Sequence, residues 1–411
     1  MEKSSKVRKN PDVVGKKSKS PQTHILNSEY SPYLKHLSIE YHMTIINGIE
    51  IDIINYKVND IKYAIQNNEP IEEKLHVIIV VSNPCLYAKR YILLQDFVKR
   101  IEEEEDHVNL YVVEMIYPGQ KFIVTDKRNK RHLQLRTETP IWHKENMINL
   151  GVKYLLPPSY KAFAWIDADV EFENTTWALD TLKVLNGCKD VVQLFSHCVD
   201  MDLDETNLNI FNGFGYSYSK EKRYTGKGKD YWHPGYAWAM TRKAYEKVGG
   251  IYDKGVLGSG DCIMAMAFIN KAHMLHNEEY HDDYNASMVE YQVAANKLRL
   301  GYVPGVIRHH YHGTKQSRQY TERWKILMKH SYSPITHLIY DAQGILIPTE
   351  TFPEEFKEDI MNYFRERKED SGGGGASAPT PLPNKVQISV VPSVMVATNP
   401  NEKLTTCCNF F

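Results

Sequence analysis

The chain has 411 residues, 42% of them apolar, enough for one large α/β domain with extensions or for two average domains. A formal net charge of −1 excludes a bulk electrostatic case for nucleic acid as the main partner. Six scattered cysteines without C-x-x-C spacing exclude a zinc ribbon and a dense disulfide framework, and no apolar run nears the length of about 18 residues that a membrane span needs.

Residues 1–20 hold seven Lys/Arg against Glu2 and Asp12, a local +5, and residues 1–25 have the Lys/Ser-rich make-up of a disordered basic tail. The charged start lacks the apolar stretch of a signal peptide, so a cytoplasmic protein with free thiols is expected. Residues 26–72 read as a small extension, with a hairpin turning at Asn47-Gly48 and then a helix inside Tyr41–Asn68.

The main domain is expected over 73–340. "KLHVIIVVSNP" is a continuous apolar run closed by a Ser-Asn-Pro turn, as in a strand buried on both faces. "CLYAKRYILLQDFVKRIEEEE" has helical periodicity and "HVNLYVVEMIYPG" reads as a second strand, which together make a βαβ unit. "TPIWHKENMINLGVKYL" reads as a helix before the strand "AFAWIDADVEF". Then come the helix "TTWALDTLKVLNG", the strand "DVVQLFSHCVD", an irregular Gly/Tyr/Lys-rich stretch from Asn212 to Asp230 that would suit a lid, and "GYAWAMTRKAYEKVGGI". Residues 341–371 read as a helical C-terminal extension. From Gly372, "GGGGASAPTPLP" opens a flexible low-complexity tail, 372–411. The alternation is that of a doubly wound sheet, which binds ligands at the carboxyl ends of its strands.

Four stretches carry chemistry. Asp167 and Asp169 follow the apolar run "FAWI", and an Asp-x-Asp pair on a strand points both carboxylates to one face. Like charges that close repel unless a cation or proton lies between them, although Asp is also a common turn former. "HPGYAWAMTRKAYEKVGGI" follows, then "GSGDCIMAMAF" with Asp261 at a helix start, where an acid also gains from the helix dipole. In "IRHHYHG", His309, His310 and His312 crowd next to Gly313.

In this order, over about residues 75–340, these stretches resemble the GT-A-fold glycosyltransferases, family 2 enzymes and the β-1,4-galactosyltransferase group in particular. The resemblance implies a GT-A fold, a Rossmann-like doubly wound mixed α/β sheet, with disordered tails at both ends of this chain. It implies a sugar moved from a nucleotide-sugar, UDP-sugar first, to the hydroxyl of a glycan, protein or small molecule, with Mn²⁺ or Mg²⁺ as cofactor. Asp169 is then the expected direct metal ligand, and Asp167 holds the ribose or the same ion. The family pattern His-x-x-His-Gly favours His309 and His312 as the other ligands, whereas strand alternation would pair His310 with His312.

Asp261 would be the catalytic base of a single inverting displacement. Gly260 stands where the galactosyltransferase-like pattern, Gly-Gly-Glu-Asp, has its Glu. Donor contacts are expected from Ser82, Asn83 and Glu114 at the strand ends, from Lys144 beside His143, from Gly235 and Trp238 in the small-residue segment, and from Lys315 near the pyrophosphate. Two other readings stay open. One is an inactive nucleotide-sugar- or glycan-binding protein of the same fold. The other is a metal-dependent phosphohydrolase or nucleotidyltransferase, since acids with histidines also serve two-metal sites.

Overall fold

The computed structural model describes residues 73–371 apart from 187–188, 203–206, 227–230, 315–316 and 318–321, together with Thr44–Ile46, Ile49–Ile51 and the single positions 59 and 66. The tails expected at 1–25 and 372–411, most of the helix expected before Asn68, and Lys315 lie outside the described residues. Strands β1 (Thr44–Ile46) and β2 (Ile49–Ile51) pair antiparallel across Asn47-Gly48, where the hairpin was expected.

Strand β3 (Leu75–Ser82) is followed by helix α1 (Ala88–Glu104), strand β4 (Val108–Ile116) and strand β5 (His132–Arg136). β4 lies parallel to both β3 and β5. Side chains of β3 alternate between two cores: Ile78 packs with Met147, Ile148 and Phe163, while Val77, Ile79 and Val81 pack with Leu94 and Phe97 of α1. Burial on both faces is what makes the strand read as one apolar run. Helix α2 (Lys144–Leu155) puts Met147, Ile148, Leu150 and Val152 into the first core, so α1 and α2 cover opposite faces.

Next come β6 (Ala162–Ile166), β7 (Val170–Phe172), α3 (Trp177–Leu185), β8 (Val191–Gln193), β9 (His197–Met201), β10 (Asn207–Gly213) and α4 (Phe214–Ser219). After them lie β11 (Trp232–His233), β12 (Ala237–Thr241), α5 (Arg242–Val248), α6 (Gly260–Phe268), α7 (Asp282–Ala295), β13 (Leu300–Tyr302) and β14 (Val306–His309). The described part ends with α8 (Glu322–Lys329), the hairpin β15 (Leu338–Tyr340) and β16 (Leu346–Pro348), and α9 (Glu354–Glu366).

The main sheet has seven strands in the order β13-β8-β12-β6-β3-β4-β5. It is mixed, because β12 runs antiparallel to both β6 and β8. A second sheet of five strands runs β11-β10-β9-β14-β7. The expected doubly wound mixed α/β sheet is therefore present, with two departures in detail. The runs "AFAWIDADVEF" and "DVVQLFSHCVD" are each two strands, one in each sheet, with the crossings at 167–169 and 194–196. The stretch from Asn212 closes β10 and forms α4, which packs against β8 and β13 of the main sheet.

Candidate active site

The first crossing places the acids. Asp167 follows the last residue of β6, and its N–H donates to the Tyr236 carbonyl at 2.8 Å. The chain then turns and enters β7 on the second sheet. There β14 lies between β7 and β9, and the register sets His309 opposite Val170 on one side and Asp200 on the other. The His310 N–H donates to the Asp169 carbonyl at 2.7 Å, which pins the end of β14 to the acid turn. Asp167 and Asp169 therefore sit on a turn between two sheets and not on one strand face.

Three side chains converge as a consequence. His312 Nε2 lies 2.6 Å from Asp169 Oδ2, and His309 Nε2 lies 3.6 Å from the same oxygen. The two Nε2 atoms are 3.3 Å apart. One ligand atom from each residue falls within 4.8 Å of the others. His309 turns its other nitrogen, Nδ1, to Asp200 Oδ1 at 2.7 Å, and both residues are buried. A carboxylate behind a histidine in this way orients the ring and raises its basicity as a ligand. Asp169 Oδ1 is buried without a hydrogen-bond partner, which a buried carboxylate oxygen rarely tolerates. Burial pushes the Asp169 carboxyl up, but His312 and His309 outweigh it and hold the acid well below the usual range. Two imidazoles and an ionised carboxylate with an unused oxygen are a donor set that a divalent transition-metal ion can use.

A cavity of about 250 Å³ opens at this point, beyond the carboxyl ends of β3 and β6. Asp169, His309 and His312 line it, and so do Ser82, Lys144, Asp167, Gly235 and Asp261. Asp167 Oδ1 is ion-paired with Lys144 Nζ and lies outside the three-residue cluster. Burial raises the Asp167 carboxyl, opposed by Lys144 and helped by Asp169. Asp261 stands in the first turn of α6, with Oδ1 accepting the Cys262 N–H at 2.8 Å. A Cβ on Gly235 would come within 3.0 Å of Asp261 Oδ2, so glycine leaves that oxygen room at the cavity wall. Behind Asp261, Ser259 adopts φ +73°, and its hydroxyl accepts a hydrogen bond from the buried Arg323 of α8.

The remaining expected contacts are placed elsewhere. Asn83 spends its side chain on Tyr87, accepting from its N–H at 2.9 Å and donating to its carbonyl at 2.8 Å. Glu114 is buried at the end of β4 and accepts from the backbone of Ile123, Val124 and Thr125 and from the Thr125 hydroxyl, outside the cavity lining. Trp238 is buried in the first core, and its indole N–H donates to the Pro234 carbonyl at 2.8 Å, holding the turn that carries Gly235. His310 leaves the cluster and faces Glu171 at 3.3 Å.

Three features at the cavity have no motif around them in the sequence. One is Asp200 behind His309. Another is Glu145, the residue after Lys144. The third is a clamp in which Glu369 accepts from Arg90 at 2.5 and 2.7 Å and from Arg367 at 2.6 Å.

No protein-family model matches the chain, and no curated protein sequence matches it. Among solved structures it is similar to a mutant Drosophila β-1,4-galactosyltransferase 7 in complex with manganese, UDP-Gal and xylobiose, at 11% identity and a TM-score of 0.32, covering 67% of this chain and 93% of that one. It is also similar to a mannosyltransferase from Pyrobaculum calidifontis in complex with GDP-Man and Mn²⁺, at 13% identity and a TM-score of 0.32, covering 67% of this chain and 68% of that one.

Proposed function

We propose that the protein is a divalent-metal-dependent GT-A-type glycosyltransferase that moves a sugar, a hexose first, from a nucleotide-sugar to an acceptor hydroxyl with inversion. UDP-sugars are the first donors to test. The observation that carries this reading is the convergence of Asp169, His309 and His312 in one cavity with a separate acid, Asp261. A divalent ion held by the three would neutralise the diphosphate of the leaving nucleotide.

The protein's own residues supply the rest. Lys144 stays protonated beside Asp167, since the Asp167 carboxylate, helped by Asp261, outweighs its burial. The Lys144–Asp167 pair can take the ribose and phosphate of the donor, with Ser82 at the end of β3. Gly235 leaves space for the sugar beside Asp261. Asp261 accepts the proton of the acceptor hydroxyl as that oxygen attacks the anomeric carbon, which inverts it. The cytoplasmic location expected from the sequence belongs to the same proposal. Among the described residues, no helix is long and apolar enough to cross a membrane.

The test is to incubate the protein with a panel of UDP-sugars, Mn²⁺ and mixed glycoside acceptors. Sugar transfer with inverted configuration is the expected result. Retained configuration would overturn the single displacement. Donor binding without turnover would mark an inactive binding protein, and release of phosphate without sugar transfer would mark the hydrolase alternative.

A further inference from the structure

Helix α2 brings a second acid to the cavity wall. Glu145, in the first turn of α2, is 4% exposed and lines the same cavity as Asp261. A Cβ built on Gly260 would lie 2.7 Å from both Cδ and Oε1 of Glu145. No real side chain makes such a contact, so the carboxyl of Glu145 fills the space in which any side chain at position 260 would begin. Glycine at position 260 lets the Glu145 carboxyl rest against the start of α6, at the residue before Asp261.

We propose that Glu145 is the second carboxyl of the acceptor subsite, hydrogen-bonding the hydroxyl next to the one that reacts, so that the acceptor is a vicinal diol of the kind a sugar ring carries. The inference rests on the glycosyltransferase reading and goes further by naming the acceptor chemistry. Two carboxyls lining one cavity can meet two neighbouring hydroxyls, and a simple alcohol would leave the Glu145 carboxyl proton without an acceptor, at the cost of a buried donor left unsatisfied. Burial, opposed by Lys144 and reinforced by Asp261, pushes the Glu145 carboxyl up to about 8. At neutral pH it is therefore a protonated acid that can donate to a hydroxyl oxygen. In the transfer step the acceptor oxygen bonds to the anomeric carbon, and the bond from that carbon to the phosphate oxygen breaks with its electron pair leaving on the nucleotide. The hydroxyl proton goes to Asp261, and Glu145 keeps its own.

The test uses the full chain with Mn²⁺, the UDP-sugar that the wild-type protein turns over best, the methyl glycoside that accepts best, and the monodeoxy analogues of that glycoside. In the wild type, the analogue lacking the neighbouring hydroxyl should lose about 10–100-fold in kcat/KM, the cost of leaving one buried hydrogen-bonding group without its partner. In Glu145→Ala the glycoside should fall to the level of that analogue, and the two should become indistinguishable. Glu145→Gln, which keeps a hydrogen-bond donor in the same place, should recover most of the discrimination. Ligand-free thermal melting of both variants, read beside the kinetics, separates acceptor binding from damage to the fold: lost discrimination in a variant that melts like the wild type supports the inference. Unchanged discrimination in Glu145→Ala, or a loss in Glu145→Gln as deep as in Glu145→Ala, would overturn the inference while leaving the transferase reading intact. A wild-type protein that turns over no UDP-sugar would overturn both.

Discussion

Asp261 and Asp169 are acids of the same kind in the same cavity, and their surroundings assign them different work. Asp169 faces two imidazoles and keeps an unused oxygen, whereas Asp261 has one oxygen on a backbone N–H and the other beside Gly235. Asp261→Asn preserves shape and removes basicity. Transfer should fall by about 10²–10⁴-fold in kcat while UDP-sugar binding stays within a few-fold of wild type. If Asp261 served only the start of α6, Asn would replace it at little cost and activity would survive.

Asp200 offers a second test at this scale. It contacts the far nitrogen of His309 and lies outside the three-residue cluster, so Asp200→Asn should weaken Mn²⁺ binding by about 10–100-fold without removing a ligand. Calorimetric titration of Mn²⁺ into both proteins reads this directly, and equal affinities would remove Asp200 from the account. The Asp-x-Asp and the histidine cluster were legible in the sequence because each is local. Asp200 and Glu145 were not, since their partners are set by strand register and by helix packing over more than a hundred residues of chain.

Among the elements, β3, α1, β4 and α2 were legible because each buries a repeating apolar pattern. The two crossings between sheets were not. An apolar run carries no mark of where it changes partner, so "DVVQLFSHCVD" reads as one strand although β8 and β9 belong to different sheets. The C-terminal segment after α9 is another element whose role only packing reveals. Glu369 is buried between Arg90 and Arg367, and Asp370 accepts the N–H groups of Ala88 and Lys89 at the start of α1. Glu369→Ala leaves two guanidiniums without their carboxylate and should cost on the order of 3 kcal/mol in denaturant unfolding. A loss near zero would mean that the segment does not hold α1 to the rest.

Helix α2 is tied to β16 by His143, whose Nε2 lies 2.9 Å from the Leu346 carbonyl and whose Nδ1 lies 3.4 Å from the Tyr117 hydroxyl. Burial pushes this imidazole down to about 4 from an ordinary 6.5. The unfolded chain therefore takes up a proton near 6.5 that the folded chain refuses until about 4, so this group's contribution to stability is lost as pH falls through that window. Unfolding free energies measured at steps between those pH values should show a shallower decline for His143→Gln than for the wild type. Parallel declines would mean that His143 titrates normally in the fold.

At the scale of the whole molecule, two sheets meet so that one carries the Lys144–Asp167 pair at its strand ends and the other carries the Asp169, His309 and His312 cluster. β6 delivers Asp167 to Lys144 at the end of the main sheet, and β14 delivers His309 to Asp169 on the second. If that junction is a metal and nucleotide site, the ion and the nucleotide should stabilise the protein together, by several kcal/mol when both are far above their dissociation constants. The direct measurement is the thermal shift of the wild type and of Asp169→Asn with UDP, with Mn²⁺, and with both. The wild type should shift strongly only when both are present, and a folded Asp169→Asn protein should not shift. An equal Mn²⁺-dependent UDP shift in the variant would mean that Asp169 holds no ion for the nucleotide.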